Sequence, residues 1–124
     1  THGGNCKPFV SPFAVFLNED NRNYLEPDVS VICSPEKIDD KGCHGAPNWV
    51  IEIVSPGTQA KDYGIKLFKY RTAGVREYWI VNPINKTVNI YDFENNIATG
   101  QYSFDEMIQV TIFPELIIKI SDLL

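Results

Sequence analysis

Hydrophobic and polar positions follow one another mostly in short runs with the two-residue period of strands, and only one stretch has the longer period of a helix. Phe13 to Asn18 ("FAVFLN") reads as a strand, and "EDNRN" as the turn after it. "YLEPDVSVIC" sets Val29, Val31 and Cys33 against Asp28, Ser30 and Ile32, which predicts a second strand. The segment from Ser34 to Pro47, with Pro, Gly and paired Asp, predicts a loop. Trp49 to Val54 is an apolar run bounded by Pro47 and Pro56, the signature of a buried strand. "REYWIVN", closed by Pro83, and "TVNIYDF", after the turn-like "NPINK", predict a hairpin. The tail "MIQVTIFPELIIKISDLL" predicts one more strand and a short terminal helix capped by Ser121.

The helical stretch runs from Thr58 to Ala73. Thr58 suits an N-cap, Asp62 and Lys66 pair at i,i+4, and Gly74 suits the C′ stop. Ala60, Gly64, Leu67 and Arg71 lie along one side. A strand, this helix and a further strand make a βαβ-like unit, and the hairpins around it make the sheet mixed. The predicted fold is therefore α+β or α/β, with one central mixed sheet flanked by helices. A length of 124 residues fits a single domain spanning residues 1–124. The chain opens on "THGGN" without Met, so an N-terminal portion of the native protein is expected to precede it.

One residue does not fit the apolar strand "NWVIEIVSPGT". An unpaired carboxylate at Glu52 would cost several kcal/mol to bury. Either that face is exposed, or the acid is paired, or it binds a cation. Asp28 opens the preceding strand, and if the two strands pair, both carboxylates converge at one end of the sheet. A divalent cation is the ordinary way to hold two converging carboxylates, and oxygen ligands completed by water suit Mg²⁺ or Mn²⁺.

Composition narrows the partners. The chain is 44% hydrophobic and 22% charged, enough to bury one core without staples. A net charge of −5 and a pI near 4.9 argue against holding nucleic acid by bulk charge, and leave local contact with phosphates open. Lys61, Lys66, Lys69, Arg71 and Arg76 crowd one segment, which ordinarily means a solvated helix face. No apolar run approaches the ~20 residues of a membrane span, so no membrane partner is expected. Cys6, Cys33 and Cys43 form no CxxC pair and leave an odd one, which predicts reduced thiols and a cytoplasmic protein. Cys43 and His44 lack the second ligand pair of a zinc site.

The segments "EPDVSV", "VIEIVSPGT" and "DYGIKLFKYRTAGVREYWIVNP" together resemble the putative restriction endonuclease family, small domains of the PD-(D/E)XK nuclease superfamily. The resemblance runs from about Phe13 to the C-terminus and is strongest from Pro27 to Pro83. Pro27-Asp28 matches the PD motif, and Glu52 matches the acid of the second motif. The resemblance implies a restriction-endonuclease-like fold and metal-dependent hydrolysis of DNA phosphodiesters. Asp28, Glu52 and the backbone carbonyl of Ile53 would then hold Mg²⁺ or Mn²⁺. One departure stands out: Val54 occupies the place of the usual lysine, two residues after the acid. The lysine of the family resembled is displaced to the following helix, and Lys66 matches it, in the spaced set Asp62, Lys66, Tyr70. Asp62 would orient Lys66 or reach the ion through water.

Each residue also has a plain structural role open to it. Asp28 suits a turn after proline, Glu52 a solvated edge-strand position, and Lys66 a helical ion pair with Asp62. Tyr70, Tyr78 and Trp79 suit the core. At the level of function, the alternatives are a catalytically inactive nuclease-fold module acting in nucleic-acid or protein interaction, and a purely structural domain. Nucleases that cut both strands of a duplex often act as symmetric dimers, which makes a homodimer the expected assembly.

Overall fold

The computed structural model describes residues 6–17, 24–57 and 61–122, with the backbone alone described for Lys61, Asp62 and Thr99. The strands are β1 (Lys7–Val10), β2 (Val15–Phe16), β3 (Val29–Ile32), β4 (Ile38–Asp39), β5 (Gly42–His44) and β6 (Trp49–Ile53). After them come β7 (Glu77–Asn82), β8 (Thr87–Asp92), β9 (Ile97–Ser103), β10 (Ile108–Gln109) and β11 (Ile117–Ile118). Between β6 and β7 the chain makes a wide π-type turn, Lys61–Ile65, that runs directly into helix α1 (Lys66–Ala73).

Six strands form the main sheet in the order β1-β3-β6-β7-β8-β9. β6 and β7 are parallel, which requires the crossover that α1 supplies; the other neighbours are antiparallel. The expected mixed sheet and the hairpin of β7 with β8 are both present. All six residues of β7 are buried because both faces of that strand are covered, the usual reason for an apolar run without alternation. β8 instead alternates buried with half-buried positions.

The two faces close differently. On one, Val50, Val54, Tyr78 and Ile80 pack with Tyr70 of α1 and with Val75. On the other, Trp49, Trp79, Val88 and Ile90 pack under the tail through Phe104, Ile108, Val110 and Phe113. The described residues end in a 3₁₀ turn, Ile120–Asp122, where a terminal helix capped by Ser121 was expected. Gly74 is the predicted helix stop: its φ of 102° is left-handed, and its N–H returns to the carbonyls of Tyr70 and Arg71. The expected Thr58 cap lies outside the described residues.

Several elements differ from the sequence expectations. The segment from Ser34 to Pro47 is no plain loop: it carries the 3₁₀ turn Pro35–Lys37 and the hairpin of β4 with β5. β5 also pairs in parallel with β2, which lies within the strand expected over Phe13 to Asn18. Gly42 permits this, since a Cβ there would lie 2.2 Å from the Ala14 carbonyl oxygen. β4 and β5, of two and three residues, are too short to show a period, so the pattern did not reveal them.

The cysteines correct another expectation. β1 runs antiparallel to β3 with Lys7 opposite Ile32, which places Cys6 opposite Cys33, and the two form a disulfide. The chain therefore does not carry three reduced thiols; Cys43 is the free one and is buried. Among the described residues no helix is long and apolar enough to cross a membrane.

Candidate functional site

The end of β6 creates the site. In the β3/β6 ladder Val29 lies opposite Ile51, so the next pair outward is Asp28 with Glu52, on the face covered by α1. β3 begins at Val29, and beyond it no strand among the described residues partners the backbone of β6 on that side. Asp28 supplies the missing contact with its side chain: the Ile53 N–H donates to Asp28 Oδ2 at 2.6 Å. The Asp28 N–H in turn donates to Glu52 Oε1 at 3.3 Å. Adjacent residues of a strand direct their amides to opposite sides, and the Val54 N–H bonds Val81 in β7. The N–H and C=O of one strand residue point the same way. The Ile53 carbonyl is thus directed to the Asp28 side of the sheet.

Glu52 is 2% exposed. Its Oε2 accepts a hydrogen bond from the Tyr70 hydroxyl at 2.8 Å and lies 3.3 Å from Lys66 Nζ. Lys66 and Tyr70 stand four residues apart on α1 and so share one side of the helix. The Lys66 side chain is 25% exposed, so its ammonium joins a buried carboxylate to solvent. Glu52 is therefore a paired acid and not an exposed edge-strand residue. Tyr70 is core as expected, fully buried and tilted against Tyr78 at 5.1 Å, but its hydroxyl belongs to the site.

The structure thus brings together Asp28, Glu52, Ile53 and Lys66, with Tyr70 added. The side chain of Asp62 lies outside those described, so its expected part in the site has no structural counterpart here. Val54, at the usual lysine position, is 3% exposed within the apolar cluster under α1. Among the described residues no group of three or more His, Cys, Asp or Glu gathers at a point. A cation at this end of the sheet would have to combine the two carboxylates with backbone carbonyl oxygen and water.

Two polar sites elsewhere have structural explanations. His44 stacks on Phe16 at 5.0 Å and meets Asp39 at 2.8 Å. The Lys41 amide and His44 hold the Asp39 carboxyl below its usual range. Cys43 lies against the Gly45 carbonyl, and burial pushes its thiol up. Glu77 is a second buried acid that the sequence pattern did not single out. It sits on the opposite face of the sheet from Glu52 and accepts from Trp79 Nε1 at 2.6 Å and from the amides of Thr111 and Ile112 at 3.2 and 3.0 Å. The signal was available in "REYWIVN", an acid opening a buried strand as Glu52 nearly closes one.

Comparison with known proteins identifies the family and the fold. The family model described as Uma2, putative restriction endonuclease, matches residues 2–121. An uncharacterized protein of Synechocystis sp. (strain ATCC 27184 / PCC 6803 / Kazusa) is 30% identical over 90 residues, covering 72% of this chain and 47% of its own length. The chain thus spans about half the length of that relative. The crystal structure of a putative nuclease belonging to DUF820 from Anabaena variabilis superposes with a TM-score of 0.68 at 22% identity. That match covers 96% of this chain and 68% of the other, and it establishes a shared restriction-endonuclease-like fold.

Proposed function

The chain belongs to the Uma2 family of putative restriction endonucleases, and from that premise and the geometry at the end of β6 we propose that it is a metal-dependent nuclease hydrolysing phosphodiester bonds of DNA. The observation that carries the proposal is the convergence on Glu52: the backbone N–H of Asp28, just before β3, and the Lys66 ammonium from the crossover helix both reach one buried carboxylate, while the Asp28 carboxylate holds the adjacent Ile53 amide. The donors fit a hard divalent cation, since Asp28, Glu52 and the Ile53 carbonyl offer oxygen only. Those three would hold Mg²⁺ or Mn²⁺. The bound ion would supply an acidified water and neutralise charge on the phosphate.

The chain's own residues do the rest. Asp28 ties itself to the Ile53 amide and so fixes the end of β6. Lys66, partly in solvent, can leave Glu52 for the incoming phosphodiester, position the attacking water and stabilise the charge that grows on the phosphate oxygens. Cutting both strands of a duplex calls for two such sites, and we expect a symmetric homodimer in solution.

The test is cleavage of supercoiled plasmid and of single-stranded DNA and RNA with Mg²⁺ or Mn²⁺, with EDTA as the control, beside the melting temperature with and without Mn²⁺. A bound ion raises the melting temperature by mass action. Ion-dependent cleavage that Glu52→Gln abolishes supports the proposal. A Mn²⁺-dependent rise without cleavage of any of the three substrates would instead assign the chain to an inactive module, and no rise at all would remove the metal site.

A further inference from the structure

Two donors from one helix meet one oxygen of Glu52, and they differ in every other respect. Lys66 keeps part of its side chain in solvent, on a flexible stem. Tyr70 is fully buried, its ring is held against Tyr78, and its hydroxyl can point in few directions. When Lys66 turns toward a phosphate, the Tyr70 hydroxyl stays where it is. The terminal torsion of a glutamate has only broad preferences, so the plane of the carboxylate must be set by its neighbours. Here Tyr70 takes Oε2 at 2.8 Å while the Asp28 amide takes Oε1 at 3.3 Å.

We propose that Tyr70 is the positioning residue of this site: its hydroxyl clamps Glu52 Oε2 so that Oε1 faces Asp28, and it maintains that orientation while Lys66 serves the substrate. The inference rests on the nuclease reading above. It also accounts for a tyrosine where core packing alone would accept phenylalanine. The hydroxyl is buried beside an apolar cluster, and such a group is kept only where it has a partner.

Tyr70→Phe removes one oxygen and leaves the ring in place. Mn²⁺ binding by calorimetry and cleavage kinetics on plasmid DNA are measured for parent and variant. Outer hydrogen-bond partners of metal ligands typically contribute ten- to a hundredfold to affinity, so Mn²⁺ should bind roughly tenfold more weakly to Tyr70→Phe. Under saturating Mn²⁺, kcat should fall while KM for DNA changes less than twofold, roughly, because Tyr70 acts through Glu52 and not on the substrate. In the parent frame, fluorotyrosine at position 70 should show a ¹⁹F shift on adding Mg²⁺, and Glu52→Gln should suppress it; this measurement holds even if Tyr70→Phe fails to fold. Parental Mn²⁺ affinity and kcat in Tyr70→Phe, or an unmoved ¹⁹F resonance while Mg²⁺ binds, overturns the inference alone. A parent that takes up neither ion overturns the nuclease site and this inference with it.

Discussion

Lys66→Ala tests the site most directly, because it should move stability, metal response and cleavage in different directions. The ammonium lies 3.3 Å from a carboxylate that is nearly fully buried. At an effective dielectric constant of about 20, two unit charges at that separation attract by about 5 kcal/mol. That figure is not the net contribution. Lys66 is partly hydrated, and after its loss Glu52 still accepts from Tyr70 and from the Asp28 amide. Removing one partner of a fully buried pair costs about 3–5 kcal/mol, so for this half-open pair the loss should be about 1–3 kcal/mol. For a domain of 124 residues this lowers the melting temperature by roughly 4–12 °C.

Mn²⁺ should reverse the sign. With no ammonium competing for Glu52, the Mn²⁺-induced rise should be at least as large in Lys66→Ala as in the parent, while cleavage is lost. Differential scanning fluorimetry at several Mn²⁺ concentrations reads the first effect and plasmid nicking the second. Lys69→Ala is the control, an exposed lysine on the same helix, and should change neither. A Lys66→Ala protein that melts and cleaves like the parent would return Lys66 to a surface role and leave Lys69 as the nearest alternative cation.

Two further outcomes concern the scaffold. Glu77→Ala should destabilise by about 3 kcal/mol in urea unfolding, since it strands the Trp79 indole and two tail amides at once; a change under about 0.5 kcal/mol would show that water replaces the carboxylate. Mass mapping of native protein alkylated without reductant should find Cys6 and Cys33 protected as a pair and Cys43 slow to react until unfolding, and reduction should cost about 3 kcal/mol by loop entropy; alkylation of all three thiols in the unreduced protein would remove the disulfide.

The central sheet was legible because its inner strands bury both faces or alternate cleanly, and each run carries its own boundary in Pro47, Pro56, Gly74 or Pro83. The pairing of Asp28 with Glu52 was also within reach, since two strands in antiparallel register bring their ends together. What the pattern could not reveal is edge and detail. β1 contains a proline and is mostly exposed, and β9 ("IATGQYS") is largely polar with a glycine, so neither shows a buried face. Reading the three cysteines by count alone missed the disulfide, because the decisive fact was that β1 lies antiparallel beside β3. The same limit explains the buried acids Glu52 and Glu77. From sequence, Glu52 and Glu77 pose one question; the fold answers it with an ammonium and a phenol for the first, and with an indole and two backbone amides for the second. Only the first arrangement includes a mobile charge in contact with solvent, and that difference separates a candidate active site from a structural clamp.

The position of Val54 shows why the cation comes from the helix. Val54 shares a strand face with Glu52, so the sequence alone suggests that a lysine there could reach the same place. In the fold, Val54 packs with Val50, Tyr70, Tyr78 and Ile80 beneath α1. An ammonium at that point would be taken out of water among apolar side chains before it could reach a substrate, at a cost of several kcal/mol unless it neutralises. Lys66 avoids this penalty because its stem descends from α1 and its head remains partly hydrated. Val54→Lys should therefore destabilise the protein by about 2–4 kcal/mol in urea unfolding. The double variant Val54→Lys with Lys66→Ala should cleave no better than Lys66→Ala alone, although it restores the usual motif. Recovery of cleavage in the double variant, measured against the single one at equal folded concentration, would mean that position 54 opens onto the site and that α1 does not seal it.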